Sequence, residues 1–368
     1  MANNDMKSVF EVLFSDNTGF QFALGKFGTK KQPVDPIYRA FFPDRRILKT
    51  SFNAVISDLN VVVSAAVTGF NTSAPLSGDE SIQKQFIENL TILRGKRRTE
   101  KEIFEIEEAL ALGEDTIALQ DFYDDVMFAW GAVILAKNAM VLQLLSNHTV
   151  TYTNTNNEGG ASGVVLSYPI TAAQQVDAGT SWDTSASAVP LTDIKGIVDT
   201  GRTNGQKYNY MFMERVTFDK MTACDSMKAA VLNIPLTRLK KGDFNTQILG
   251  LEDTNARLNS MDLPQIVIVD GNVRMEQAGG SRAIVNVWAT DKVVFSETLQ
   301  QGTFNYNIPL EEKNRAKYSK NAFVGNVDGV TIVQKYNSNP IEELTIGKAI
   351  GAPAFRNAAS NMILDATP

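Results

Sequence analysis

The sequence is poor in the residues that build most catalytic and metal sites. Its 368 residues include one cysteine, Cys224, and one histidine, His148. A single cysteine cannot form a disulfide within the chain or supply a thiol-rich metal site. A single histidine excludes zinc sites built on two or three histidines, and a serine or cysteine triad would have to use His148. We therefore expect Cys224 to be a buried structural thiol inside a helix, and His148 to be a capping or surface residue at a helix end.

The sequence also lacks the common phosphate, calcium and targeting motifs. Neither GxxxxGK(S/T) nor a GxGxxG between a strand and a helix is present. The stretch DGNVRMEQAGGSR lacks the spaced acidic residues of a calcium loop, so it predicts an exposed turn. The first residues lack the basic region and apolar core of a secretory signal, and we identify no run of about 18 apolar residues. These absences predict a chain made and folded in the cytoplasm, without a membrane partner.

The net charge of the chain is −6, which disfavours an overall affinity for nucleic acid because such binding needs a basic face. A local basic patch remains compatible with this charge. Hydrophobic residues make up 43% of the chain and charged residues 21%, as in ordinary folded proteins. The composition therefore predicts a sizeable core and leaves the class of function open.

The first part of the chain is predicted to be extended. Residues 1–46 mix Gly, Lys, Pro and Phe without a clean period, and their prolines favour an extended arm. Residues 47–95 predict one long β-hairpin with a flexible tip near residues 69–80. A two-stranded ribbon is marginally stable in water by itself. The hairpin therefore needs another surface to lie on, and another subunit could supply it.

A strong helical pattern follows the hairpin. In residues 115–147, apolar side chains recur at spacings of three and four. About 30 residues at about 1.5 Å each give a helix of roughly 45 Å, longer than a small domain needs. Residues 149–170 predict a second hairpin around a Gly/Asn turn. Residues 193–335 predict a mixed α/β region, after which strands return to the body of the fold.

Three aspartates, Asp121, Asp124 and Asp125, lie near the start of the long helix. One interpretation is a metal or acid-base site. The other is a face exposed to solvent or to a neighbouring subunit, with Lys or Arg from elsewhere as partners. A metal site would need further ligands, and no Glu or His follows three or four residues later, as di-iron motifs require. The exposed or intersubunit face is therefore favoured.

The densest positive charge is the cluster Arg94, Lys96, Arg97 and Arg98. These side chains could contact nucleic acid phosphates, form salt bridges with a neighbouring subunit, or lie on a solvated face. All three interpretations stay open. The four basic residues and the three aspartates are our candidate intersubunit contacts, and we predict no catalytic, cofactor-binding or metal-binding residue.

Three stretches resemble the major capsid protein of tailed bacteriophages, specifically the lambda-type "major capsid protein E" family with the Hong Kong 97-like fold. FYDDVMFAWGAVILAKNAMVLQLLSNHTVTY is similar to the family's spine helix and following hairpin. GTSWDTSASAVPLTDIKGI is similar to the start of its axial domain, and KNAFVGNVDGVTIVQKYNSNPI to its C-terminal return. The order of arm, hairpin, spine helix and α/β unit is also that of the family.

The resemblance implies an α+β fold of five segments. They are an N-terminal arm (1–46), an extension loop (47–95), a peripheral domain with the spine helix (96–192), an axial domain (193–335) and a C-terminal return to the peripheral domain (336–368). It also implies hexamers and pentamers that close into an icosahedral shell around double-stranded DNA. The implied partners are further copies of the chain, portal and scaffolding proteins, a decoration protein, and packaged DNA through weak non-specific contacts.

Some members of the family crosslink subunits through a Lys–Asn isopeptide bond. Lys49 and Lys84 lie in the hairpin, but no motif supports that chemistry and we do not predict it. Two other functions remain as alternatives. One is another phage structural protein, such as a tail-tube or decoration subunit. The other is a cytoplasmic magnesium-dependent hydrolase whose candidates would be the three aspartates of the long helix and Asp270.

Overall fold

The described part of the chain is a mixture of helices and strands. A computed structural model describes residues 17–28, 34–56, 83–113, 115–153, 156–157, 160, 162–236, 247–276, 282–318 and 322–368. The helices are α1 (Asn17–Gly28), α2 (Tyr38–Phe41), α3 (Glu100–Ala111), α4 (Asp115–Asn147), α5 (Pro190–Thr203), α6 (Arg215–Ala223), α7 (Asp225–Leu232), α8 (Leu251–Ser260), α9 (Leu310–Lys313) and α10 (Arg315–Tyr318). The strands are β1 (Asp44–Arg46), β2 (Ser51–Ile56), β3 (Gln83–Glu88), β4 (Leu90–Thr99), β5 (Thr149–Tyr152), β6 (Val164–Ser167), β7 (Gln175–Asp177), β8 (Tyr210–Glu214), β9 (Gln265–Val269), β10 (Asn272–Glu276), β11 (Arg282–Asn286), β12 (Lys292–Ser296), β13 (Gly302–Asn307), β14 (Ala322–Val327), β15 (Val330–Ser338), β16 (Ile341–Phe355) and β17 (Met362–Asp365).

The long helix α4 is the axis of the fold, as the sequence predicted. Its 33 residues give a length of about 50 Å. The sequence analysis found no membrane-length apolar run, and this was wrong for α4: by length and composition, residues Ala118–Asn147 could cross a membrane. Polar residues interrupt the run, but its mean hydropathy is still as high as that of a membrane-spanning helix. The apolar window is 72% buried inside the protein, so its surface is covered by the protein's own core.

A six-stranded sheet of described residues lies against α4. Its strand order is β1-β13-β16-β15-β14, and β4 pairs with β16 outside this path. Ile350 of β16 pairs with both Thr91 of β4 and Asn307 of β13. These two strands therefore lie on opposite edges of β16, which is the central strand of the sheet.

The central strand approaches the backbone of α4 at Gly347. A Cβ atom at this position would collide with the main-chain carbonyl of Ala129. Only glycine permits so close an approach of a strand to a helix. The contact brings the sheet onto the largest buried side chains of the core, among them Trp130, Phe122 and Phe304.

A second sheet has the strand order β7-β17-β12-β8-β9, and helices α5 to α8 belong to the same part of the fold. Its core contains Trp182, Phe218 and Leu258. The indole Nε1 of Trp182 donates a 2.9 Å hydrogen bond to Asp193 at the start of α5, which fixes the connection before that helix. The C-terminal strand β17 pairs with both β12 and β7, so the end of the chain is built into this sheet.

The strand pairings do not follow the predicted segment boundary at residue 335. Strands β13, β14 and β15 span residues 302–338 and belong to the six-stranded sheet with β16. In the other direction, β17 lies within the predicted return segment 336–368 and joins the five-stranded sheet. Local patterning predicts strands but not their distant partners, so the predicted segments and the observed strand pairings differ.

The arm was expected to be extended, and this is wrong for its described part. Helix α1 packs against β14, where Phe20, Ala23 and Leu24 are buried at helical spacing. The base of the predicted long hairpin is present, since β2 pairs antiparallel with β3 from Ser51 opposite Glu88. Its predicted tip near residues 69–80 lies outside the described residues.

His148 ends the long helix, but its ring is not at the surface as predicted. The residue has a φ of +55°, and its N–H donates a 2.7 Å hydrogen bond to the carbonyl of Leu144. It therefore caps the helix through its backbone. The ring is fully buried and lies edge-on to Phe355 at 5.0 Å. Burial lowers the pKa of His148 to about 4, partly opposed by the carbonyl of Pro169, so the ring is neutral near pH 7.

Cys224 is a buried free thiol, as expected. It does not lie inside a helix, however, because its extended backbone separates α6 from α7. Its Sγ donates to the carbonyl of Lys220 at 3.3 Å, and burial raises the pKa of the thiol to about 11. Both properties fit a structural cysteine and disfavour a nucleophile.

Candidate assembly surfaces

The basic cluster lies on strand β4, whose alternation decides where each side chain points. Leu90 and Ile92 pack against the main core, so Arg94, Lys96 and Arg98 share their face of the strand. Arg97 points to the other face and is 63% exposed. The strand therefore carries basic side chains toward α4 as well as away from it.

Asp125 of α4 receives two of these basic side chains. Its Oδ1 lies 2.6 Å from Nζ of Lys96, and its Oδ2 lies 2.7 Å from Nη2 of Arg98. The side chains of Asp125 and Arg98 are only 2% and 7% exposed. The prediction that these two residues lie on an exposed or intersubunit face is therefore wrong. A buried carboxylate is tolerated here because two cations of the same chain surround it.

The other basic residues also have partners in their own chain. Arg94 forms a salt bridge with Glu276 at the end of β10. Arg97 lies 3.6 Å from Glu342, which is diagonally across from it on the neighbouring strand β16. These pairs join β4 to two other strands. They supply acidic partners for basic side chains whose partners the sequence did not reveal. Lys96 and Arg97 remain accessible at 45% and 63%.

The carboxylates proposed for a magnesium site do not assemble into one. Both oxygens of Asp125 face cations, Asp124 is exposed, and Asp121 is half-buried. Asp270 accepts a 3.1 Å hydrogen bond from the backbone N–H of Asn272 and so closes its own turn. Among the described residues, no group of three or more His, Cys, Asp or Glu side chains could hold a metal ion.

A charged cluster that the sequence analysis missed attaches the arm to the spine helix. Lys137 of α4 is fully buried, with its Nζ 3.4 Å from the hydroxyl of Tyr38 and 4.0 Å from Asp44. The ring centroids of Tyr38 and Phe304 lie 5.4 and 5.0 Å from the same nitrogen. Burial lowers the pKa of Lys137 to about 8, although Asp44 opposes the shift. The available signal was a lysine within an otherwise apolar stretch of helix.

Arg39 completes this cluster at the surface. Its Nε donates to Asp44 at 2.7 Å, and its Nη1 donates to Asp328 in the turn after β14 at 2.7 Å. The hydroxyl of Tyr38 also donates to Asp44 at 2.8 Å, and burial raises the pKa of this tyrosine. Three segments far apart in sequence are thereby held together: the arm, the spine helix and the β14–β15 turn.

Several large apolar side chains are exposed on elements at the edge of the fold. Contiguous exposed apolar patches mark interaction surfaces, whereas single exposed apolar side chains are common on any protein. The most exposed are Phe22 (67%), Leu48 (79%), Phe86 (62%), Phe104 (65%), Leu112 (75%), Ile248 (91%) and Ile284 (69%). They lie on α1, on the base of the hairpin, on and after α3, before α8 and on β11. These exposed apolar side chains are candidate assembly surfaces in the described part of the chain.

No family model and no curated protein matches the chain. Solved structures do match it over nearly its whole length. A protein assigned as the capsid protein of a prophage in E. coli CFT073 has a TM-score of 0.53 at 11% identity, covering 95% of this chain and 98% of that one. A phage-related protein from Bordetella bronchiseptica RB50 has a TM-score of 0.51 at 10% identity, covering 93% and 96%.

The satellite phage P4 procapsid, which includes a size determination protein, has a lower TM-score of 0.44 at 9% identity, with 95% and 99% covered. The fold assignment rests on the two structures above 0.5. Their match agrees with the α+β architecture that the resemblance implied. The chain has the Hong Kong 97-like fold of tailed-phage capsid proteins.

Proposed function

We propose that the chain is the major capsid protein of a tailed bacteriophage. In this role it assembles with copies of itself, as hexamers and pentamers, into an icosahedral shell that encloses double-stranded DNA. The observation that carries the proposal is the full-length likeness in fold to the prophage capsid protein, of which 98% is covered. A likeness over one segment would fit many functions, whereas this one covers 95% of the chain.

The exposed apolar side chains support self-association. Phe86 on β3 is 62% exposed, while Ile87 beside it is 3% exposed and packs inward. A hairpin that is apolar on both faces needs a second surface for its outer face. In the proposed shell, a neighbouring subunit supplies that surface. Obligate interfaces of this kind bury more than about 2,000 Å².

The two sheets suggest how the proposed domains divide. We assign the six-stranded sheet and α4 to the peripheral domain, together with residues 302–335, which the sequence had placed in the axial domain. The five-stranded sheet with α5 to α8 is the proposed axial domain, and β17 belongs to it. This division follows strand pairing, which reflects packing more directly than sequence order does.

The remaining partners follow from the proposed role. Portal and scaffolding proteins would act during assembly in the host cytoplasm, and a decoration protein would bind the finished shell in the virion. The net charge of −6 fits weak, non-specific contact with packaged DNA. Strong, salt-sensitive DNA binding by free subunits would contradict this part of the proposal.

The alternative functions have less support. A tail-tube protein is mostly β-structure, and the 33-residue helix α4 does not fit it. The magnesium-dependent hydrolase needs accessible carboxylates, and Asp125 is buried between two cations. No specific observation favours either alternative over a capsid protein.

The test is to express the chain in a bacterium and examine the lysate by electron microscopy and size-exclusion chromatography. Shells, tubes or isolated rings are expected. Phe86→Ser should reduce assembly and leave the free energy of unfolding nearly unchanged, since its side chain is exposed. Ile87→Ser is the matched control on the same strand, and it should lower stability because its side chain is buried. Equal assembly by the Phe86→Ser variant would contradict docking through this hairpin.

A further inference from the structure

One exposed surface of the chain is a stripe along α3. It consists of Glu100, Phe104, Glu107, Glu108 and Leu112, and we call it the acidic stripe. Phe104, Glu108 and Leu112 follow one another at a spacing of four, which places them on one face of the helix. Phe104 is 65% and Leu112 is 75% exposed, and the three glutamates are exposed as well. The stripe therefore combines apolar side chains with negative charge.

The opposite face of α3 fixes the direction of this stripe. Ile103 and Ile106 are buried, and Ile341 at the start of β16 packs against them. The helix contains five glutamates and one lysine, so its net charge is −4. Since its inner face is occupied, the acidic stripe faces away from the chain's own core.

A second exposed surface has the opposite charge. It consists of Arg45, Arg46, Leu48 and Lys49, and we call it the basic segment. All four residues are exposed, and Leu48 is 79% exposed. Strand β1 pairs in parallel with β13, so the arginines are held on the edge of the six-stranded sheet. The basic segment thus presents three cations and one exposed leucine at this edge of the sheet, with Arg45 and Arg46 on opposite faces of β1.

The two surfaces cannot meet within one chain. Thr99, which precedes α3, pairs with Glu342 of β16. Arg46 pairs with Tyr306, which in turn pairs with Gly351. Nine residues of β16 separate these two levels, or about 30 Å at about 3.3 Å per residue. The acidic stripe and the basic segment therefore lie toward opposite ends of the central strand.

We propose that the acidic stripe of one subunit docks on the basic segment of a second copy of this chain. The inference rests on the proposed self-assembly and names one contact within it. Opposite charges would steer and orient the two subunits, and Phe104 and Leu48 would be buried between them. Because the two surfaces differ, the contact is heterologous, and such contacts generate rings or continuing arrays.

The test is a charge-reversal cycle in the full chain, with association measured by sedimentation velocity over a range of concentrations. One variant carries Glu107→Lys and Glu108→Lys, a second carries Arg45→Glu and Arg46→Glu, and a third combines all four. The control carries Asp199→Lys and Asp219→Lys, which are exposed acids on α5 and α6. It changes the net charge as much as the first variant does. Thermal unfolding of each variant verifies that the fold is retained.

Each reversal alone should raise the concentration needed for association by about tenfold or more, because like charges then face each other. The combined variant should recover most of this loss, and the control should behave like the unaltered chain. Added salt should bring the association concentrations of the charge-reversal variants and of the unaltered chain closer together. If the unaltered chain associates and both reversals associate equally well, the inference is overturned and the proposed function stands. If the unaltered chain stays monomeric at every concentration, both alone and with candidate scaffolding proteins, both are overturned.

Discussion

Arg98 of β4 and Asp125 of the spine helix form a buried salt bridge, with Nη2 and Oδ2 2.7 Å apart. The pair joins the central sheet to the helix at a point where both side chains are nearly inaccessible to solvent. Glu343 lies opposite Arg98 in the sheet and is buried too. In the sequence, the basic strand and the aspartate-rich helix look like binding surfaces. In the fold, some of their charged residues instead form a salt bridge that joins the strand to the helix.

Asp125→Asn should destabilise the chain strongly. It replaces a buried carboxylate by a neutral amide and so breaks the Arg98–Asp125 salt bridge, a change that typically costs roughly 3–5 kcal/mol. The measurement is urea denaturation followed by circular dichroism. Asp124→Asn is the control one residue away, and its exposed side chain should change the free energy of unfolding by less than about 0.5 kcal/mol. Equal changes in the free energy of unfolding for the two variants would contradict a stabilising role of the Arg98–Asp125 salt bridge.

Lys137→Met should leave the chain as stable as before or make it more stable. Burial disfavours the charged form of Lys137, and Asp44 keeps Arg39 and Tyr38 as partners when the lysine is replaced. The folded-state pKa of Lys137 is about 8 and its ordinary value 10.5, so the unfolded chain binds more protons between these values. Stability due to this group therefore rises with pH over that window. The free energy of unfolding of Lys137→Met minus that of the unaltered chain should fall between pH 8 and pH 9.5. A difference that does not change with pH would contradict the account.

His148 should make the fold sensitive to acid. Its folded-state pKa is about 4 and its ordinary value 6.5, so the unfolded state binds more protons in this window. Stability due to the neutral ring is present above pH 6.5 and is lost as the pH falls toward 4. The reference variant is His148→Asn, because asparagine tolerates the φ of +55° and does not titrate. The stability difference between the two proteins should decrease as the pH falls from 6.5 to 5, and a pH-independent difference would exclude this role.

Gly347→Ala should push the central strand away from the spine helix. The added Cβ would collide with the carbonyl of Ala129, and overpacking of this kind costs typically about 1–3 kcal/mol. Gly196→Ala in α5 is the matched control, because nothing lies within 4 Å of a Cβ there. It should stabilise the chain by roughly 0.5–1 kcal/mol through its better helix propensity. Thermal unfolding measures the change in stability of each variant relative to the unaltered chain, and the two changes should have opposite signs. The same sign for both would contradict the close approach of the strand to the helix.

The sequence predicted the local elements better than their partners. The spine helix was predicted correctly because its apolar spacing of three and four extends over many turns. The side chain of His148 was misplaced, since nothing near it in sequence shows that Phe355 covers its ring. The same limit applies to Asp125, whose partners on β4 are about 27 residues earlier and are brought close only by the sheet.

The fold class itself came from resemblance and was then shown by structure comparison. The arm illustrates the remaining difficulty. Glycines and prolines in residues 1–46 favoured an extended path, yet Phe20 and Leu24 lie on one helical face and find a surface on β14. Tertiary packing overrode the local preference there. The cluster around Lys137 likewise depends on three distant segments, and sequence spacing alone does not reveal it.

The most direct test of the central claim is electron microscopy of the full chain expressed alone and together with candidate scaffolding proteins, beside size-exclusion chromatography of the same samples. We predict closed shells, or rings with five-fold and six-fold symmetry, in at least one of these samples. A folded monomer in every sample and at every concentration would contradict the claim that this chain builds a capsid.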